Sequence, residues 1–323
     1  MTGQDAVPVT MEDVPANDAA GIAAYVRIRS AVTPESPDSA EHVAWESASY
    51  PGQTWRLLAR DPDRTPVGTA SVSRIRMLAA DYPRYWLGLW VLPEVRGRGI
   101  GSALFAAGSE IAASAGKTGF LAEVSERQAE GCRFLAARGF TEAGRSKAVE
   151  LALAGMAPPA VAPPAGIRVT TLAAERDLVP GVHRAAVEAL PDVPTSDEPM
   201  HAGTLEEFLA RDVERHDVPL DGFFVAVDEA LDEVVGYAIV AYRPGSHEVA
   251  YHDMTAVRPA YRGRGIASAL KRASVAWAIE HGLQALETGN DVENAPMLAI
   301  NARLGYTPLP DLLYLQGPLA PAH

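Results

Sequence analysis

The sequence predicts two tandem copies of one mixed α/β domain, each a mixed sheet with flanking helices. Three observations support this: a length of 323 residues, a motif that occurs twice at constant spacing, and a proline-rich joint between the occurrences. The length suits two ordinary domains. About half of the chain is hydrophobic (48%) and 21% is charged, so each half can bury a core of its own.

The repeat is the strongest of the three. Trp90 begins WVLPEVRGRGIGSAL and Ala256 begins AVRPAYRGRGIASAL. Arg96 and Arg262 lie 166 positions apart (262 − 96), and so do Gly139 and Gly305, which close the downstream strings RFLAARGF and AINARLGY. Two features at one shared offset indicate duplication. Between the copies, AGMAPPAVAPPAG (Ala154 to Gly166) holds four prolines and no charge, which favours extended chain over helix or core strand. The expected domains are therefore 1–153 and 167–323, with 154–166 as linker.

The elements follow in order. In the second copy, Phe223 to Val227 and Val234 to Tyr242 are rich in β-branched and aromatic residues and read as strands around a polar turn. Glu248 to Val257 reads as a further strand, ended by Arg258-Pro259. From Ala267 to His281 the spacing of Leu270, Ala273 and Trp277 is helical. Leu283 to Thr288 reads as a short strand, and Pro296 to Leu304 as a helix stopped by Gly305. The first copy repeats the succession: a strand from Arg84 to Val91, a helix from Ser102, a strand from Phe120 to Val124, and a helix ending before Gly139.

Composition narrows the function. A net charge of −13 opposes nucleic acid and anionic membranes, and suits a cationic partner. No run approaches the ~18–20 apolar residues of a membrane span. The N-terminus has neither the basic region nor the apolar run of a signal peptide, which points to the cytoplasm. Cys132, the single cysteine, excludes an internal disulfide and a cysteine-rich metal site, and reads as a small buried hydrophobe. His42, His183, His201, His216, His247, His281 and His323 show no metal-ligand spacing, so no metal is expected. Oligomeric state is not fixed by anything in the sequence.

The chemistry lies in the glycine loop. It comprises Arg96, Gly97, Arg98, Gly99, Ile100, Gly101 and Ser102 in the first copy, and Arg262, Gly263, Arg264, Gly265, Ile266, Ala267 and Ser268 in the second. Glycines free the backbone to approach a ligand, and a helix start offers unpaired N–H groups to an anion. The flanking arginines add positive charge. Pyrophosphate is the natural guest. A Walker loop would need Gly-Lys-Ser/Thr at its end, and a dinucleotide fingerprint would need Gly-x-Gly-x-x-Gly with an acidic residue about 20 positions on.

The whole string, Val-x-Pro-x-x-Arg-Gly-Arg-Gly-Ile-Gly/Ala-Ser-Ala-Leu, resembles the acyl-CoA site of the GNAT superfamily of N-acetyltransferases. Asn290, Asn294 and Asn301-Ala-Arg-Leu-Gly-Tyr306 are similar to that superfamily's downstream helix. The tandem arrangement is similar to mycothiol synthase and related two-domain acetyltransferases, a similarity of architecture that assigns no substrate. The resemblance implies acetyl-CoA as acyl donor and a primary amine of a small molecule as acceptor. It also implies a strand splayed beside the loop, with Val257 and Asn294 (Val91 in the first copy) near the donor.

Acyl transfer to an amine needs a base, because an amine of pKa ~10 is only about 0.1% neutral at pH 7. The strand before the second loop offers Glu248, His252 and Asp253; strict alternation puts Glu248 and His252 on one face and Asp253 on the other with Val257. The corresponding strand of the first copy, RYWLGLWV, has no carboxylate or histidine. The second copy is thus the expected catalytic domain, with His252 and Asp253 as candidate bases and the first copy structural or an idle CoA binder. Many GNAT enzymes carry a tyrosine, thought to protonate the leaving thiolate, where this chain has Asn301 and Leu135. The resemblance therefore transfers no tyrosine acid, and a non-catalytic acyl-CoA-binding protein is the alternative. Asp192, Asp197, Glu198, Glu206 and Glu207 form either an acidic rim for a cationic acceptor or a solvated helix start.

Overall fold

A computed structural model describes residues 8–194 and 198–321. The chain divides into two compact units, 1–144 with 313–323, and 145–312.

In the first unit the elements are β1 (Thr10–Asp13), α1 (Ala19–Val32), α2 (Ala40–Ser49), β2 (Thr54–Arg60), β3 (Pro66–Ser73), β4 (Arg84–Val91), α3 (Ile100–Ser114), β5 (Gly119–Ser125) and α4 (Ala129–Ala136). In the second they are β6 (Thr141–Ala152, of this unit from Arg145), β7 (Ile167–Thr171), α5 (Val179–Ala189), α6 (Leu205–Phe208), β8 (Phe223–Asp228), β9 (Glu233–Tyr242), β10 (Val249–Val257), α7 (Ile266–Glu280), β11 (Ala285–Asp291), α8 (Ala295–Leu304) and β12 (Thr307–Pro308). The last strand, β13 (Leu312–Pro318), belongs from Leu313 to the first unit. Strand order is β1-β2-β3-β4-β5-β13 in the first unit and β6-β11-β10-β9-β8-β7 in the second, where β12 also pairs with β6.

The expected strands and helices of both copies are present, and Gly305 ends α8 in the left-handed conformation (φ 92°). The boundaries, however, differ from 1–153 and 167–323. The first copy's final strand crosses to the second unit at Arg145, and the chain's last strand completes the first. Sequence spacing gives no sign of this, because strand partners are set by pairing across long separations. The proline-rich stretch 154–166 has no helix or strand, as its composition dictates, but it lies within the second unit. There the Ala160 carbonyl accepts from Arg272 at 3.5 Å.

Burial follows the pattern of the strands. In the second unit α7 lays Ile266, Leu270, Ala273 and Trp277 onto Ala238 and Val240 of β9 and Ala250 and Val257 of β10. In the first, Phe105 of α3 packs with Phe120, Phe140, Leu87 and Leu135. Burying such a side chain stabilises by roughly 1.5–3 kcal/mol, so these cores hold both sheets and the helix starts that sit on them.

Candidate active site

Each unit opens its sheet at the same place. In the second, β10 and β11 run parallel and pair only from Val249↔Ala285 to Tyr251↔Glu287, although β10 continues to Val257 and β11 to Asp291. In the first, β4 and β5 pair only from Arg84↔Gly119 to Trp86↔Leu121, and then part. Beyond the parting, each strand has lost its ladder on one side. The splay that the sequence resemblance implies is present in both copies.

A glycine loop lies beside each splay. Gly97, Gly99, Gly263 and Gly265 all have positive φ (78°, 85°, 75° and 90°). Gly99 and Gly265 are the left-handed residues from which α3 and α7 start, and neither helix has a side-chain cap there. The first helical bonds are Ala103 N–H to Gly99 and Ala269 N–H to Gly265. The amides of Ile266, Ala267 and Ser268, and of Ile100, Gly101 and Ser102, precede those bonds and have no partner within their helix. A Cβ at Gly263 would meet nothing within 4 Å. Free amides, a helix dipole and open space make a cradle for a pyrophosphate, and the donor that the loop sequence implies fits it.

The arginines of the loop have distinct tasks. Arg96 Nε donates to the Val91 carbonyl at 3.0 Å, and Arg262 Nε to the Val257 carbonyl at 3.1 Å. Their outer nitrogens pair with Glu130 (2.9 Å) and Asp192 (2.7 Å). They tie the loop to the strand end, which leaves Arg98 and Arg264 as the cations of the loop; Arg264 lies 5.0 Å from the Tyr261 ring. In the first unit Ser102 Oγ accepts from Arg138 at 2.6 Å. Asn294 caps α8, its side chain accepting from Met297 N at 3.3 Å. Of the acidic group, Asp192 is committed to Arg262 and Glu207 forms a capping box with Thr204. Glu206 is in the same first helical turn, and Asp197 lies outside the described residues.

Strict alternation along β10 fails at Asp253. The register against β9 shifts between His252 and Met254, a bulge in which Asp253 is the extra residue. The bulge resets the phase, so Val257 joins Ala250 in the helix-side core instead of sharing a face with Asp253. Asp253 turns outward to Arg215, which holds it at 2.8 Å and clasps Asp217 with two further bonds. His252 turns inward and is 4% exposed.

His252 belongs to a buried polar chain of two hydrogen-bonded sets, which meet where Lys271 Nζ lies 5.3 Å from the Tyr306 ring and which the spacing of the sequence did not reveal as a unit. Its Nδ1 lies 3.2 Å from the Tyr306 hydroxyl, its carbonyl accepts from Thr288 at 3.0 Å, and its Nε2 has no partner. Lys271 Nζ, also buried, donates to Asn301 Oδ1 at 2.6 Å, and Asn301 Nδ2 donates to Asn290 Oδ1 at 2.7 Å. Burial, with Lys271 beside it, holds the His252 pKa well below its ordinary value, so the imidazole is neutral at pH 7. Burial alone pushes Lys271 down to about 7. Both polar ends of Asn301 are engaged, so it orders this chain.

Two further carboxylates escaped the sequence reading. Asp212, in a π-helical turn (Leu209–Val213), accepts two bonds from Arg211, and its pKa is raised by burial despite that partner. Glu123 lies on β5 two residues past the last paired position, accepts a hydrogen bond from Tyr314, and is reached by solvent. Desolvation by the surrounding protein nevertheless raises its carboxyl above the usual range. The first copy's splay thus has an acidic group after all, supplied by β5 instead of β4.

The acetyltransferase (GNAT) family matches residues 24–140 and 185–306. The chain belongs to this family. A mycothiol acetyltransferase from Pseudarthrobacter chlorophenolicus is 26% identical over 271 residues, 82% of this chain and 80% of that protein. Among solved structures, a tandem GNAT protein from the clavulanic acid biosynthesis pathway aligns with TM-score 0.77 at 23% identity, covering 98% of this chain and 100% of that one. A GCN5-related N-acetyltransferase from Sphaerobacter thermophilus aligns at 0.73 and 21%, with 98% of each chain covered. Both structures share the fold over nearly the full length. The protein is a tandem GNAT acetyltransferase, and no helix among its described residues is long and apolar enough to cross a membrane.

Proposed function

We propose that the second unit transfers the acetyl group of acetyl-CoA to a primary amine of a small molecule by direct attack of the amine on the thioester. The observation that carries this reading is the buried polar chain at the β10–β11 splay, beside an open anion cradle. His252 is the favoured base. Its imidazole is neutral, and in the tautomer that donates Nδ1–H to the Tyr306 hydroxyl the unpartnered Nε2 has a lone pair for a proton from the attacking amine. Asp253, the other candidate, is held by Arg215. The net charge of −13 favours a cationic acceptor. The first unit, with its own cradle, binds donor without turning it over.

A second reading places transfer in the first unit with Glu123 as base, favoured by that carboxyl's raised pKa and its place at the splay. Thiol release from acetyl-CoA with a panel of amines decides between the two. An aspartate at Gly265 puts charge and strain into the second loop, and one at Gly99 does so in the first. Loss of release in Gly265→Asp alone supports the second unit; loss in Gly99→Asp alone assigns the chemistry to Glu123's copy. Tight acetyl-CoA binding with no thiol release to any amine would make the chain a non-catalytic acyl-CoA-binding protein.

A further inference from the structure

Lys271 is a buried amine without an opposing charge. It lies on α7 five positions after Ile266, and its side chain is 1% exposed. It makes one hydrogen bond, to Asn301 of α8, and its Nζ lies 5.3 Å from the Tyr306 ring centroid. The groups around it are His252 of β10, Tyr306 after α8, Asn301 and, through Asn301, Asn290 of β11. None is anionic: His252 is held neutral and burial pushes the Tyr306 hydroxyl upward. No carboxylate acts on Lys271 among the described residues; desolvation is the sole influence on its pKa. A buried cation of this kind is costly, and cores that have no use for one replace it with an apolar residue.

The first unit has done so. At the same offset of 166, Lys271 corresponds to Phe105, Asn301 to Leu135, Tyr306 to Phe140 and Asn290 to Val124. His252 corresponds to Leu87, because the bulge adds one residue. Val249 and Arg84 open the two parallel pairings 165 apart (249 − 84), whereas their partners Ala285 and Gly119 are 166 apart (285 − 119). Every polar member of the chain is apolar in the other copy. The fold does not need the chain.

Burial leaves Lys271 poised between its neutral and charged forms near pH 7, and an anion entering the β10–β11 splay would draw it into the charged form with no carboxylate competing for it. The phosphates already have their cradle at the loop, so the anion in question is the one the reaction creates. We propose that Lys271 is the counter-charge for the thiolate of coenzyme A, compensating by its field for the absence of a proton donor at Asn301. The inference rests on the acetyl-transfer reading of the second unit. In that reaction the amine nitrogen bonds to the acyl carbon, and the carbon–sulfur bond breaks with its electron pair on sulfur. The amine's proton goes to His252, and sulfur departs unprotonated opposite Lys271. Lys271 is a positioning charge; no proton passes through it.

The two copies supply the control. Coenzyme A bound to the Gly99→Asp protein occupies the second unit, and bound to Gly265→Asp it occupies the first; thiolate absorbance in the ultraviolet then reads each bound thiol. In Gly99→Asp the thiol should titrate at least about one pH unit below that of free coenzyme A, itself roughly 8.5 by analogy with cysteine. In Gly265→Asp it should stay near the free value. Adding Lys271→Met to Gly99→Asp should return the thiol to the free value, and Lys271→Arg should retain the depression. Thermal melting with and without coenzyme A confirms that each variant is folded and loaded. An unchanged titration in a folded, loaded Lys271→Met protein overturns the proposal. So does an acetyl group on Lys271 after incubation with acetyl-CoA, which would make the lysine a nucleophile. A depressed thiol in a protein that acetylates no amine would leave the counter-charge in place and remove only the transfer reading.

Discussion

The two copies share a backbone plan and differ in what lies under it. Each parts two parallel strands after three paired residues and starts a 15-residue helix from a left-handed glycine. Beneath the first splay, the ring of Phe105 lies 6.0 Å from Phe120, 6.1 Å from Phe140 and 6.5 Å from Phe134. Beneath the second, the matching places hold two hydrogen-bonded pairs, His252 with Tyr306 and Lys271 with Asn301. An aromatic cluster maximises buried apolar area, whereas buried polar chains cost stability unless fully satisfied. The difference separates a copy packed for stability from one that keeps polar groups where ligand chemistry can use them.

The largest effect should come from making the second copy resemble the first. His252→Leu removes the favoured base at nearly constant volume, and kcat should fall about 10²- to 10⁴-fold with the fold retained by circular dichroism. A fall below tenfold would exclude His252 as the base. The reverse graft, Leu135→Asn, buries an unpartnered amide among phenylalanines and should destabilise the first unit by roughly 1–3 kcal/mol in urea unfolding.

A smaller, pH-dependent effect follows from Lys271. Its folded pKa (about 7) lies below the ordinary 10.5, so between those values the unfolded chain binds more protons. Stability should therefore rise as pH goes from about 7 toward 10.5, and be lost as pH falls through that window. The rise should be on the order of a few kcal/mol relative to Lys271→Met, which lacks the titration. Parallel stability curves for the two proteins from pH 7 to 10 would show that Lys271 is not the buried amine the structure depicts. The least effect is expected at Asp253. Because Arg215 already holds it, Asp253→Asn should change kcat less than about threefold and stability by under about 1 kcal/mol.

The repeat and the glycine loops were legible because each follows local rules of spacing and backbone freedom, whereas the splayed strands were expected from the family resemblance alone. The parts that were not legible have physical reasons. A one-residue bulge at Asp253 is invisible to alternation, yet it decides which side of the sheet every later residue of β10 takes. The crossing of the units at Arg145 and Leu313 depends on pairing between distant strands. Lys271 lies next to the Leu270–Ala273–Trp277 stripe, and nothing in its spacing foretells the bond to Asn301 of α8. Glu123 has no sequence signal of its own; its place two residues past the last β4–β5 pair depends on where those strands part. In Asn301 the departure from the family's tyrosine was visible, but its partners were not.

The most direct test of the catalytic asymmetry is thiol release from acetyl-CoA by the two single-loop variants against the same amines. Gly265→Asp should lose at least about 100-fold in rate while Gly99→Asp stays within a few-fold of wild type. The opposite pattern, with Gly99→Asp inactive and Gly265→Asp unimpaired, would place the chemistry at Glu123 and contradict the account.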